Sequence, residues 1–266
     1  MTPLIVLIDI DGTLIGDIST QVLEWEIISQ IDKRKLKQYK SNVQVYLSNG
    51  LIRPHFSDFI NSIKSRYSHV EFFVYTASDD KWANFLVPCI EKTLNISINR
   101  PIFSRKHCIL QSGVLCKSFA RVAPFITTRL KKVYTGLQQK TVLKNMFIVD
   151  NNNVLIDNRK YCIQCKTYEW SDVYDVLKLV NVGEDNFIKL GNILNRYGII
   201  ETIGTRYESL LSQYYSYLAK QYKTIPHIRK QDEDTFWLDI TAATINALRK
   251  GLDRDQIVKY IVQKLS

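Results

Sequence analysis

Two carboxylates one residue apart, in Asp9-Ile10-Asp11-Gly12-Thr13, stand at the end of an apolar run that begins at Pro3. In a continuing strand they would point to opposite faces, but the turn that Gly12 permits lets both reach one pocket. Burying them together is costly unless a cation or a proton is shared, and a magnesium ion removes that cost. The chemistry open to such a pair is phosphoryl transfer. Asp9 is the expected nucleophile, attacking phosphorus to give a phospho-aspartate. Asp11 is the expected acid and base, protonating the departing oxygen and later drawing a proton from water. Charge on the transferring oxygens needs electrophilic partners, for which Thr76 and Lys117 are the candidates. Mg2+ prefers hard oxygen ligands and keeps part of its water, so Asp9 with oxygens from Asp150 or Asn151 suffices. Asp157, which also follows an apolar pair, competes for the metal role; the longer run ahead of Asp150 favours Asp150.

Positioning these groups requires buried strands with polar ends. Pro3 to Ile8 is a run of branched aliphatics ending in an acid, as a strand buried on both faces requires. Glu71 to Tyr75 and Met146 to Val149 are two further strands, the first ending in Thr76-Ala77-Ser78-Asp79 and the second in Asp150-Asn151; Tyr161 to Tyr168 is a fourth. Between them, Val22, Trp25, Ile28 and Ile31 predict a helix within residues 18–40. Phe56, Phe59, Ile60 and Ile63 predict one just after Arg53-Pro54. Ser78 or Asp79 is placed to cap a helix running through Trp82, Phe85, Leu86 and Ile90. Alternating strands and helices define an α/β fold with a mostly parallel sheet, whose strand ends Asp9/Asp11, Thr76/Ser78 and Asp150/Asn151 should meet in one crevice. Beyond about residue 172 the pattern is helical, over Phe187–Leu194, Tyr207–Tyr222 and Leu238–Leu265, with a break at Pro226 and the charged run Arg229–Asp234. The expected organisation is therefore residues 1–178 as the α/β domain and 179–266 as a helical C-terminal extension.

The 266 residues carry 36 basic and 26 acidic side chains, a net charge of +10, which favours anionic partners. The clusters Lys33-Arg34-Lys35-Leu36-Lys37 and Arg129-Leu130-Lys131-Lys132 read first as solvated helix faces. The apolar runs are far short of the roughly 20 residues a bilayer span needs, so no membrane partner is expected. An early acid at Asp9 does not suit a signal peptide, and an intracellular protein, cytoplasmic or nuclear, is expected. Five scattered cysteines fit reduced thiols, and Cys162 and Cys165 read as part of an apolar strand.

Taken in order, these motifs resemble the haloacid dehalogenase superfamily of phosphohydrolases. They are most similar to its RNA polymerase II C-terminal-domain phosphatase branch, the nuclear-LIM-interactor-interacting-factor-like phosphatases. The resemblance is carried by Asp9-x-Asp11-Gly12-Thr13, Arg53-Pro54, Val74-Tyr75-Thr76-Ala77-Ser78 with Trp82, Phe103 to Cys108, Gly113 with Lys117-Ser118-Phe119, Ile148 to Asn151, and Trp170, over about residues 3–175. It implies a Rossmann-like haloacid dehalogenase fold and a Mg2+-dependent phosphatase acting on phosphoserine or phosphothreonine in a protein or peptide. By position it implies Asp9 as nucleophile, Asp11 as acid and base, and Thr76 and Lys117 as phosphate binders. Thr13, Ala77 and Arg105 join the expected substrate contacts. The implied metal site is Asp9, Asp11 through its backbone carbonyl, Asp150 and Asn151. Gly12 and Asn152-Asn153 depart from the family, which usually has an acid and a serine-proline there, and this bears on loop shape and substrate choice.

Two other readings stay open. The same machinery could act on polynucleotide ends or nucleotides, which the net charge would also favour. A catalytically silent relative could use the crevice to bind phosphopeptides, although such a module has no use for Asp11. The tyrosines at 214, 215 and 217 have helical spacing and read as core and surface rather than as a base-stacking strip.

Overall fold

The computed structural model describes residues 2–16, 18–170, 175–180, 182–200, 206–224 and 234–265. In chain order the elements are β1 (Leu4–Ile8), α1 (Ser19–Ile31), α2 (Leu36–Tyr46), α3 (Phe56–Lys64), β2 (Val70–Val74), α4 (Asp80–Leu94), β3 (Ile109–Gln111), β4 (Val114–Cys116) and α5 (Phe119–Leu130). There follow α6 (Gln139–Lys144), β5 (Met146–Asp150), β6 (Cys162–Gln164), α7 (Glu184–Arg196), α8 (Tyr207–Thr224), α9 (Phe236–Arg249) and α10 (Arg254–Leu265). The charged break expected around Pro226 lies outside the described residues, apart from Asp234. Two compact units result: 1–16, 52–169 and 230–266 form one, and 17–51 with 170–229 the other.

The first unit is built on a parallel sheet in the order β2-β1-β5-β6. β1 is the centre because Leu-Ile-Val-Leu-Ile offers a branched apolar side chain to each face, and all five residues are buried. The register sets Val6 beside Phe72 and Phe147, and Leu7 beside Phe73 and Ile148. Ile5, Leu7, Phe73, Met146 and Ile148 pack with Phe119, Val122, Ala123, Ile126 and Leu130 of α5. On the Phe72 side lies α3, whose Phe59 meets Phe72 at 5.6 Å between ring centroids. Phe56, Phe59, Ile60 and Ile63 are all buried, the stripe that their i, i+3, i+4, i+7 spacing predicts. Each such side chain contributes about 1.5–3 kcal/mol through removal from water. Trp237 of α9 closes over this stripe, 4.9 Å from both Phe56 and Phe59, so the buried face of α9, including Ile240, Ala243, Thr244 and Ala247, has its partner in α3.

Several boundaries differ from the sequence reading. The fourth strand is only Cys162–Gln164, because beyond Cys165 the backbone leaves the sheet; Lys166 gives its carbonyl to Arg53 instead. The last helical stretch breaks between α9 and α10 at Gly251, whose φ of +66° suits glycine. Ser112 and Gly113, both at positive φ, make the tight connection that joins β3 and β4 as an antiparallel hairpin.

In the second unit, the helix expected within 18–40 is two. α1 ends at Asp32, whose side chain accepts the Arg34 amide and opens a short 3-10 turn before α2. The buried face of α1 is Thr20, Gln21, Leu23, Glu24, Ile27 and Ile28. Of the expected Val22, Trp25, Ile28, Ile31 stripe only Ile28 is fully inside, because α2 and α7 pack on the adjacent face. Tyr39 of α2 donates to the Gln21 carbonyl at 2.7 Å, and Arg196 of α7 pairs with Glu26. Among the described residues no helix is long and apolar enough to cross a membrane.

Candidate active site

In a doubly wound sheet the ligand crevice opens where strand order reverses, at the carboxyl ends of the strands. Here the chain moves from β1 to β2 on one side and returns to β5 on the other. The residues that end β1, β2 and β5 therefore converge. Asp9 leaves the sheet with its amide still bonded to the Val149 carbonyl at 3.0 Å. The next residues coil back, with the Leu14 and Ile15 amides both on the Ile10 carbonyl. Gly12 sits in this turn at φ +73°, and a Cβ there would come within 2.5 Å of Asn151 Nδ2. That close approach accounts for glycine at this position.

Lys117 is the centre of the arrangement. It follows β4 and lies alongside Leu155, its amide donating to the Val154 carbonyl at 3.0 Å. Its Nζ donates to Asp9 Oδ1 at 2.5 Å and to Asp150 Oδ2 at 2.7 Å, and all three side chains are under a tenth exposed. Burial works against the ammonium, but the carboxylates of Asp9 and Asp150 outweigh it and hold its pKa above the usual lysine value. Thr13 ties the two strand ends together. Its hydroxyl lies 3.2 Å from Asp9 Oδ2 and from Asn151 Oδ1, and it accepts the Asn151 amide at 2.8 Å.

Asp11 stands across the turn. Its Oδ2 accepts from Ser78 Oγ at 2.5 Å and from Thr76 Oγ1 at 3.3 Å, while Oδ1 is buried without a hydrogen-bond partner. Burial first, and the neighbouring Asp9 carboxylate second, push the Asp11 carboxyl up to about 6. Burial and Asp9 likewise push Asp150 up to about 6, against the pull of Lys117. Two buried carboxylates thus share one ammonium, with a third, half-buried carboxylate close enough to feel their charges.

Of the residues singled out in the sequence, Asp9, Thr13, Lys117, Asp150 and Asn151 form one hydrogen-bonded network, and Asp11 with Thr76 forms a second that feels the charges of Asp9 and Lys117. Ala77 lies beside it, and its carbonyl accepts from Arg105 Nε at 3.0 Å. Arg105 is exposed and bonds none of the acids. Asp157 is elsewhere: it accepts from Ser118 Oγ at 3.1 Å and from the Phe119 amide, and so caps α5. Of the two cap candidates, Ser78 and Asp79, it is Asp79 that caps α4, accepting the Lys81 amide at 2.8 Å, and the Ser78 hydroxyl turns into the crevice and donates to Asp11. Thr167, which accepts from Asn151 Nδ2 at 3.1 Å, carried no sequence signal at all. Cys162 and Cys165 are both buried free thiols, and burial followed by the nearby Asp150 charge pushes Cys162 up to about 12, the state of an inert thiol.

As they stand, no three His, Cys, Asp or Glu side chains among the described residues are grouped to hold a metal ion. The donor chemistry nevertheless fits a hard cation that keeps most of its water. Asp9 and Asp150 are buried carboxylates joined through one lysine, Asn151 adds an amide oxygen, and the partnerless Oδ1 of Asp11 marks uncompensated negative charge.

Residues 4–191 match the model of the NLI interacting factor-like phosphatases, and the chain belongs to that family. It is accordingly a phosphatase, a phosphoric monoester hydrolase. Among solved structures, it is similar to fission yeast RNA polymerase II CTD phosphatase Fcp1 bound to beryllium fluoride, at 16% identity, covering 96% of this chain and 70% of that one, with a TM-score of 0.44. A second structure, of Fcp1, an essential RNA polymerase II CTD phosphatase, is similar at 15% identity, 96% and 69% coverage and a TM-score of 0.42. No curated protein matches the chain.

Proposed function

We propose that this phosphatase hydrolyses phosphoserine and phosphothreonine in proteins through a phospho-aspartate on Asp9. The observation that carries the reading is the buried Asp9–Lys117–Asp150 bridge with Asp11 held opposite it by Thr76 and Ser78. Asp9, oriented through one oxygen by Lys117 and through the other by Thr13, attacks phosphorus while the bond to the serine or threonine oxygen breaks. Asp11 is the acid that gives its proton to that oxygen, and a carboxyl pushed up to about 6 retains a proton closer to neutrality than an ordinary aspartate would. In the second half Asp11, now ionised, takes a proton from water as the water oxygen attacks phosphorus, and Asp9 leaves as carboxylate with inorganic phosphate released. Lys117 and the Thr76 hydroxyl bind the transferring phosphoryl oxygens, with Thr13, Ala77 and Arg105 as the further substrate contacts.

Asp9, Asp150, Asn151 and the backbone carbonyl of Asp11 are the residues that would hold Mg2+. When bound, the ion neutralises charge on the phosphoryl oxygens. The catalytic segment in this proposal is 1–178, with 179–266 as its helical extension. Protein substrates are supported by the ordered match to the C-terminal-domain phosphatase branch across β1, β2, β4 and β5.

The test is hydrolysis of a generic aryl phosphate, with and without Mg2+, by the parent and by Asp9→Asn, followed by phosphopeptide and 5′-phosphorylated oligonucleotide panels. The expected result is turnover that needs Mg2+, is abolished in Asp9→Asn and extends to serine and threonine phosphopeptides. Undiminished turnover in Asp9→Asn refutes the mechanism, and activity confined to oligonucleotides refutes the substrate class.

A further inference from the structure

Beside the acids lies a second feature that the reaction does not use. A cleft of about 630 Å³ opens between the start of α4, residues 100–107 and the start of α5, lined by Asp80, Arg100, Lys106, His107, Arg121 and Phe125 among others. Three permanent cations face one carboxylate. Lys106 rests on Asp80 at 2.8 Å, and Arg100, also in the lining, is paired with Glu91 at 2.6 Å. Arg121, exposed in the first turn of α5, has no carboxylate partner among the described residues. His107 Nδ1 accepts the Ser104 amide at 3.0 Å, which leaves the proton of the neutral ring on Nε2 as a donor. The wall carries two aromatic rings, His107 and Phe125, 5.7 Å apart between centroids, with the buried Phe103 behind His107 at 5.2 Å, and Phe125 is half exposed. Cations over apolar surface are less well solvated than on an open face, which strengthens their hold on an anion.

The cleft is tied to the acids by short bonds. The turn Arg105–His107 that forms one wall fastens its Arg105 amide to the Ser78 carbonyl at 2.9 Å, and Ser78 is the residue that holds Asp11. Asp80 is two residues from Ser78, at most about 7 Å of extended chain. An extended peptide advances about 3.3 Å per residue, so one that has its phosphate on Asp9 and runs across the start of α4 carries the residues two to four positions away about 7–13 Å in the direction of the cleft.

We propose that this cleft is a second anion subsite, which takes a phosphorylated or carboxylate side chain two to four residues from the phosphoresidue being hydrolysed. On binding, Lys106 would exchange Asp80 for the incoming anion while Arg121 and the His107 Nε2–H supply further donors. This inference rests on the phosphoprotein reading above and adds to it the character of the substrate sequence.

The test compares kcat/KM for phosphoserine peptides of one sequence that carry alanine, glutamate or a non-hydrolysable phosphonate analogue of phosphoserine three residues to either side. The enzymes are the parent, Arg121→Gln and Lys106→Gln, both substitutions being at exposed side chains. Each enzyme is read as the ratio of anionic to alanine peptide, in which any general loss of activity cancels. The parent is expected to prefer the phosphonate peptide on at least one side by about tenfold and the glutamate peptide by less, and both variants to fall to about twofold or below. Equal kcat/KM for all three peptides in the parent, or a preference retained in both variants, overturns the subsite while leaving the phosphoprotein reading intact. A parent that hydrolyses aryl phosphate but no peptide refutes that reading and the subsite with it.

Discussion

Replacing Lys117 by methionine keeps most of the side-chain volume and removes the one ammonium among three acids. Removing one partner from a buried ion pair costs about 3–5 kcal/mol, because the charge left behind is uncompensated. Here the ammonium serves two carboxylates, at 2.5 and 2.7 Å, so the upper end of that range applies at pH 8. For a chain of this size each kcal/mol lowers the Tm by about 2–4 °C, which gives a fall of roughly 10–20 °C. The acids can escape the cost by taking up protons. Asp11 and Asp150 already have folded values raised to about 6, above the roughly 3.9 of an unfolded aspartate. Such groups contribute stability that is present below the unfolded value and lost as pH rises through the folded one. Without Lys117, which lowers both, that loss moves to higher pH. The gap between Lys117→Met and parent should therefore be small near pH 5 and widen towards pH 8, followed by urea unfolding at fixed low salt. Added Mg2+ at pH 8 should narrow it, by stabilising the variant more than the parent. An equal gap at pH 5 and pH 8 would mean that Lys117 acts through packing, and would refute the electrostatic account of the site.

Three further outcomes are expected. Arg53, 4% exposed, donates through Nε to both carboxylate oxygens of Asp234 at 2.9 and 3.0 Å and stands 4.3 Å over the Phe236 ring. Because Asp234 keeps partial access to water, Arg53→Met should cost about 2–4 kcal/mol, less than a fully buried pair, as measured by the urea midpoint. Gly12→Ala adds the cost of a left-handed residue, about 1–2 kcal/mol, and drives a Cβ into the Asn151 amide. Steady-state assay should show lost turnover, whereas Gly113→Ala, with nothing within 4 Å of its Cβ, should keep the parental kcat. Finally, burial and the Lys106 charge hold the His107 pKa below its ordinary value. Its contribution is thus present above about pH 6.5 and lost as pH falls below that, opposite in sign to Asp11 and Asp150. His107→Gln should remove that acid-side loss from the pH profile of the unfolding midpoint.

What the sequence determined by itself is local. The run from Leu4 to Ile8 must be a strand buried on both faces, the Phe56 to Ile63 spacing must be an amphipathic helix, and an acid pair before Gly12 must sit in a turn. With the polar residues after each strand, these properties are enough to place Asp9, Thr76 and Asp150 at the same edge of one parallel sheet, because right-handed crossovers leave few other topologies. The tertiary structure alone decided which groups touch. That Lys117 bridges Asp9 and Asp150, that the Ser78 hydroxyl donates to Asp11, and that Asp157 caps α5 depend on residues 33 to 108 positions apart in the chain. The same holds for α1, whose period marks two candidate faces and whose buried one is chosen by α2 and α7. Periodicity records how a segment meets its own burial, whereas a contact between distant segments is fixed by packing against surfaces that neither of them encodes.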